Sequence, residues 1–155
     1  MPTRLMMDEQ RKLSVLKLFL RIYGALSFLI FVPLCLAIML QNPLFDDGGL
    51  MNWTIWNGVI CGGQPCYVPP MLFIIYLVWA AFLFLAARDP YRYRSFLTFT
   101  AWANLFHGLL MSVQAATDLG LFWSKYFTDI PFVTILALGI FILLPKRDGA
   151  RTATA

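Results

Sequence analysis

Four long stretches of this chain contain no charged side chain, and they constrain its fold more than any other feature. Because a charge near the centre of a lipid bilayer costs about 2.5–3.5 kcal/mol, charged residues mark where membrane spans end. With interfacial residues included, the predicted spans cover about residues 18–40, 71–87, 95–117 and 127–144. Hydrophobic residues make up 60% of the chain and charged residues 13%, against about 45–50% and about 25% in soluble domains. The sequence therefore predicts an all-α, four-transmembrane-helix bundle that forms a single integral membrane domain over residues 1–155.

The positions of the basic residues predict how the spans are oriented. Lys and Arg are retained on the cytoplasmic side of short loops. Eleven of the 12 basic residues lie before the first span or in its first turn, between the second and third spans, or after the fourth. They are Arg4, Arg11, Lys12, Lys17, Arg21, Arg88, Arg92, Arg94, Lys146, Arg147 and Arg151. The prediction is that both termini are cytoplasmic, that Lys125 lies on the other side, and that residues 41–70 form an external loop.

Composition and motifs exclude several classes of function. No run of basic residues exceeds two, which argues against nucleic-acid binding although the formal net charge is +4. The sequence contains no P-loop, no G-x-S-x-G, no G-x-G-x-x-G and no H-E-x-x-H, so we assign no catalytic residues and favour a non-enzymatic role over an enzymatic one. The predicted partners are the lipid bilayer and either a second copy of the chain or another membrane protein.

The third span carries polar side chains at helical spacing. Intervals of 4, 3, 4, 3 and 4 residues place six side chains on one face of a helix. These six are Thr100, Asn104, His107, Met111, Gln114 and Asp118. Polar groups at membrane depth normally point into a bundle, so this polar stripe is expected to face the interior.

Two interpretations of the polar stripe remain open. In the first, Asn104, His107 and Gln114 are hydrogen-bonding contacts between helices and have a structural role. In the second, His107 belongs to a polar intramembrane site that relays protons, binds a quinone or holds a metal. A haem held by both His107 and Met111 is excluded because they share one helix face, and copper bound by His107, Met111 and Cys35 is conceivable from ligand softness. The prediction therefore includes no metal and keeps a quinone as the candidate cofactor.

The external loop contains a second notable pair of residues. Cys61 and Cys66 are separated by Gly-Gly-Gln-Pro, which favours a turn between them. In an oxidising compartment this spacing predicts a structural disulfide, whereas Cys35 lies in a predicted span and is expected to stay reduced. Four intervening residues rule out a C-x-x-C redox motif.

The second loop and third span resemble a known set of proteins. The resemblance lies in Ala87-Arg88-Asp89-Pro90-x-Arg92-x-Arg94-Ser95, followed by Phe99-Thr100-Ala101-Trp102, His107, Met111 and Gln114. This pattern is similar to that of small bacterial four-helix membrane proteins of unknown function, broadly BphX-like and DoxX-like. The resemblance implies a multi-pass protein of the bacterial inner membrane. The expected role is an accessory or interaction component, with a quinone-associated or redox-linked subunit as the alternative.

Overall fold

The computed structural model of the chain describes residues 2–42, 60–61, 64–65, 68–117, 119 and 123–145. Within these residues it forms four α-helices and one 3₁₀ helix at Trp123–Tyr126. The α-helices are α1 (Pro2–Met39), α2 (Val68–Arg88), α3 (Arg94–Thr117) and α4 (Asp129–Leu143). The prediction of four helices is confirmed, and α1, α2 and α3 are each long and apolar enough to cross a membrane. The described residues are thus almost entirely helical, and three of the helices have the length and composition of membrane spans.

The described part of the 41–70 loop contains a short antiparallel pair of strands. β1 (Ile60–Cys61) pairs with β2 (Gln64–Pro65), with Ile60 opposite Pro65 and Cys61 opposite Gln64. Cys66 lies outside the described residues, so the Cys61–Cys66 disulfide stays a prediction. Asp118, the last member of the polar stripe, also lies outside them.

Prolines set several of the helix boundaries. Two prolines follow Val68 in the first turn of α2, where the missing backbone N–H has no helical partner to lose. The turn before α3 contains Pro90 and is stabilised by Asp89, whose Oδ1 accepts a hydrogen bond from the Arg92 backbone N–H at 3.1 Å. α4 ends where Leu144 adopts an extended backbone, as expected for a residue that precedes a proline.

The helices associate as two antiparallel pairs. α1 packs mainly along α2, α3 packs mainly along α4, and the two pairs meet chiefly through α1 and α4. The contact between α2 and α3 is slight even though they are consecutive in the chain. The tertiary structure is therefore two helical hairpins joined along one side.

One apolar cluster, which we call the four-helix cluster, joins the hairpins at the end of the bundle near residues 89–93. Every helix contributes buried side chains to it. They are Leu16, Leu20 and Tyr23 of α1, Leu83, Ala86 and Ala87 of α2, Leu97 and Ala101 of α3, and Leu136 and Ile140 of α4. Arg94 closes this end by donating a hydrogen bond to the backbone carbonyl of Pro145, which ties the start of α3 to the end of α4.

A second apolar cluster lies further along α1 and is built differently. Its buried members among the described residues come from α1 and α2 alone, and we call it the two-helix cluster: Phe31, Leu34, Cys35, Ile38 and Phe73. The short α4 explains the difference. Phe132, in its first turn, packs on Tyr23 with ring centroids 5.2 Å apart, and Phe31 lies about two turns further along α1. The first turn of α4 is therefore level with Tyr23, and α4 does not extend as far as the two-helix cluster.

Three glycines allow close approach between helices. A Cβ on Gly139 of α4 would lie 2.2 Å from the Phe19 ring of α1, and one on Gly108 of α3 would lie 2.8 Å from Oγ1 of Thr134 on α4. A Cβ on Gly24 of α1 would meet the ring of Phe84 on α2 at 2.9 Å. Without a hydrophobic driving force inside a bilayer, small residues that let helices approach closely are a main source of helix association.

Candidate functional site

The first two residues of the polar stripe, at the start of α3, form hydrogen bonds within the protein. Thr100 is fully buried, and its Oγ1 accepts a hydrogen bond of 3.1 Å from the indole Nε1 of Trp79 on α2. Asn104 is half-buried and donates from Nδ2 to the backbone carbonyl of Thr100 at 2.8 Å. Thr100 thus forms a hydrogen bond between two helices, whereas the hydrogen bond of Asn104 lies within α3 and does not link it to another helix.

Further along α3 the polar stripe divides. Met111 is buried, whereas His107 and Gln114 are exposed. Within the described part of the chain, neither exposed side chain makes a hydrogen bond. The expectation that the whole stripe faces the interior is therefore wrong for His107 and Gln114.

The reason is the position of the buried face on α3. That face follows Leu97, Ala101, Gly108 and Ala115, with the closest contact to α4 at Gly108. His107 precedes Gly108 by one residue, so its side chain projects about 100° away around the helix. Intervals of three and four residues show that side chains share one face of a helix. They do not show which part of that face packs against another helix.

A small group of ionisable side chains surrounds the start of α4. The Lys125 ammonium acts electrostatically on both the His107 imidazole and the Asp129 carboxylate, and Asp129 acts on the Tyr76 hydroxyl of α2. We call Tyr76, His107, Lys125 and Asp129 the polar group. Its four members come from α2, α3, the 3₁₀ helix and α4.

Two local features determine where the polar group lies along the bundle. The Tyr126 hydroxyl donates to the Ser112 backbone carbonyl at 2.8 Å, which holds the 3₁₀ helix beside the last turns of α3. α4 contains 15 residues, about 22 Å of helix, and a hydrocarbon core is about 30 Å thick. Phe132, three residues after Asp129, packs on Tyr23, so Asp129 starts its helix within about one turn of the level of Tyr23 and well short of the far end of α1.

The sequence predicted only that Lys125 lies on the external side, and neither Asp129 nor Tyr76 stood out. The usable signal was the short uncharged run after Asp129, which implies that α4 starts deep. No pattern in the sequence pointed to Tyr76, because its membership of the polar group depends on how α2 packs against α1. Its ring stacks on Phe31 of α1 with centroids 5.0 Å apart.

The copper hypothesis is not supported by the position of Cys35. Cys35 is buried in the two-helix cluster, where its Sγ lies 3.8 Å from Sδ of Met39. That cluster contains no described residue of α3, so the structure does not bring Cys35 to His107 and Met111. Across the described residues, no three His, Cys, Asp or Glu side chains are grouped as metal ligands would be.

Comparison with known proteins gives a family without a known activity. No curated protein and no solved structure matches the chain. Residues 13–153 match the profile of a family of unknown function, DUF6632, which spans almost the whole sequence and all four helices. The chain therefore belongs to the DUF6632 family.

Proposed function

We propose that this protein is an accessory or interaction component of the bacterial inner membrane, with no catalytic activity of its own. The observation that carries the proposal is the exposure of His107 near the middle of a membrane helix and of Gln114 two turns further along the same face. Polar side chains at such depth normally contact protein or water because lipid tails offer them no hydrogen bonds. In this proposal, the surface of a second protein supplies the hydrogen-bonding partners that the chain's own helices do not.

The other exposed side of α3 shows what a lipid-facing surface of this protein looks like. We call it the lipid stripe, and it consists of large apolar side chains: Phe99, Trp102, Phe106, Leu109 and Val113. The neighbouring exposed positions are small or polar except for Leu110, and we call them the polar flank: Ala103, His107, Leu110, Gln114 and Thr117. One helix thus presents two surfaces of different chemistry, and only the lipid stripe suits hydrocarbon.

An affinity purification from native membranes tests the proposal. The wild-type protein is compared with a His107→Leu/Gln114→Leu double variant, and Phe106→Leu/Val113→Leu serves as the matched control on the lipid stripe. We expect the wild type and the control to retain an associated membrane protein, own or foreign, that the polar-flank variant loses. A wild-type protein that purifies alone would contradict an interaction role.

The proposed orientation places both termini in the cytoplasm. It is supported by the basic residues that flank the 89–93 turn, of which Arg88 and Arg92 are exposed. Reporter fusions after Ala155 and within residues 88–94 should read cytoplasmic, and fusions near Gly49 and Lys125 should read external. An external reading after Ala155 would overturn this orientation.

A quinone-associated or redox-linked subunit is the second candidate. It is favoured by the polar group, in which Lys125 acts electrostatically on His107 and on Asp129, and Asp129 acts on Tyr76. It also agrees with the resemblance to DoxX-like proteins. Quinone content and thermal stability should be measured on protein purified in native lipid, for the wild type and His107→Gln. A quinone lost from a variant of unchanged stability would favour this candidate, and no quinone in either protein would remove it.

A further inference from the structure

We infer that the polar flank is the seam of a parallel homodimer, in which α3 of one copy packs along α3 of a second copy. The inference rests on the proposed interaction role and names the partner. The polar flank is Ala103, His107, Leu110, Gln114 and Thr117, all of which are exposed in the single chain. Their intervals of 4, 3, 4 and 3 residues match the contact pattern of two helices that cross at about 20°.

The membrane itself aligns two copies on this seam. Copies inserted by the same distribution of basic residues share one orientation and one depth, so their α3 helices run parallel. Across a two-fold axis normal to the bilayer, each residue of the seam then lies opposite the same residue of the second copy. His107 of one copy therefore lies at the same depth as His107 of the other, and the same holds for Gln114. The two helices need no shift in register to bring these residues together.

The chemistry of the seam is self-complementary. None of its five side chains is an acid or a permanent cation, so no like charges from within the seam meet when two copies pair. A primary amide both donates and accepts hydrogen bonds, and a neutral imidazole has one donor and one acceptor nitrogen. Gln114 and His107 can therefore each bond to the identical group of the second copy. Ala103 adds a small side chain that permits close approach of the two helices.

The seam is also accessible within each copy. α2 and α3 have little contact, and their contact is at Thr100 and Phe96, near the 89–93 turn. Beyond Thr100 toward the end of α3, the flank is not covered by α2. A second helix can lie along that part of α3 without displacing the four-helix cluster.

Photo-crosslinking in intact membranes tests the inference. A benzophenone amino acid replaces Leu110 on the polar flank or, as the matched control, Leu109 on the lipid stripe, and two differently tagged copies are co-expressed. We expect ultraviolet light to produce an adduct of twice the chain mass that carries both tags from the Leu110 position, and little from the Leu109 position. Native mass spectrometry from lipid nanodiscs should independently give a dimer.

Substitution of the seam should weaken the dimer by a measurable factor. Loss of two interhelical hydrogen bonds in His107→Leu/Gln114→Leu should raise the dissociation constant about tenfold, measured by energy transfer between labelled copies in lipid vesicles. The fold of each copy should persist, because neither side chain hydrogen-bonds within the described chain. Phe106→Leu/Val113→Leu should leave the dissociation constant unchanged.

The outcomes separate this inference from the proposed function. An adduct of a different mass at the Leu110 position, together with a monomer by mass spectrometry, would overturn the homodimer and support an interaction role with another protein. A monomer with no protein adduct would overturn both. Equal crosslinking at Leu109 and Leu110 would show random collision in the bilayer and would also overturn the seam.

Discussion

The two ends of the bundle use different means of packing. Near residues 89–93 all four helices contribute to the four-helix cluster, and Leu83 and Leu97 are fully buried there. At the opposite end, the two-helix cluster buries Phe73 against Phe31 with no described residue of α3 or α4. α4 starts level with Tyr23, so its length decides where four-helix packing stops.

This difference locates the part of the molecule that is available for interaction. Where the four-helix cluster exists, the polar side chain of Thr100 has a partner in Trp79. Beyond it, His107 and Gln114 are exposed. The end with less internal packing is therefore the end where the surface of α3 can serve another molecule.

The largest expected effect comes from Gly139→Leu, which breaks the contact that joins the two hairpins. A side chain there collides with the Phe19 ring, because even a Cβ would lie 2.2 Å from it. We expect a loss of about 3 kcal/mol in the free energy of unfolding, measured in lipid bicelles. Ala81→Leu, at an exposed position of α2, is the matched control. Adding Phe19→Ala should restore part of the loss, and stability equal to wild type in Gly139→Leu would show that α1 and α4 do not meet there.

A second prediction compares the two clusters directly. Leu83→Ala should cost about 2 kcal/mol or more and accelerate amide hydrogen exchange in all four helices. Phe73→Ala, at an equally buried position, should accelerate exchange mainly in α1 beyond Phe31 and in the first half of α2. Equal acceleration of α3 and α4 by Phe73→Ala would mean that the two ends unfold as one unit.

A third prediction concerns the hydrogen bond between α2 and α3. Trp79→Phe and Thr100→Val each remove one partner of the 3.1 Å bond. A double-mutant cycle should give a coupling energy of about 0.6 kcal/mol, and at most about 1.7 kcal/mol, as for interhelical bonds in other membrane proteins. Zero coupling would indicate that the indole N–H bonds elsewhere.

The smallest effect is expected at His107. For dilute, monomeric protein in detergent, His107→Gln should change the free energy of unfolding by less than about 0.5 kcal/mol, because an exposed side chain has little internal contact to lose. Asn104→Ala should cost more, since its amide bonds to the Thr100 carbonyl. A larger loss from His107→Gln than from Asn104→Ala would place His107 inside the fold.

Much of the helical architecture was predictable from local features. Charge-free runs located all four helices, and the prolines at 69, 70, 90 and 145 lie at or next to helix ends in the structure. The stripe on α3 was also visible, because helical spacing depends only on the sequence. Its division into buried Thr100 and exposed His107 was not, because that depends on where Gly108 meets α4.

By itself, the sequence determined that this chain is a membrane protein built of apolar helices and that one helix carries polar groups at regular spacing. Hydropathy and periodicity are properties of each segment alone, so they need no knowledge of neighbours. Only the tertiary structure decided that the helices pair as α1 with α2 and α3 with α4, and that Lys125 acts electrostatically on both His107 and Asp129. Those outcomes depend on close contacts at Gly24, Gly108 and Gly139 and on the depth at which α4 begins, which arise from shape complementarity between distant segments.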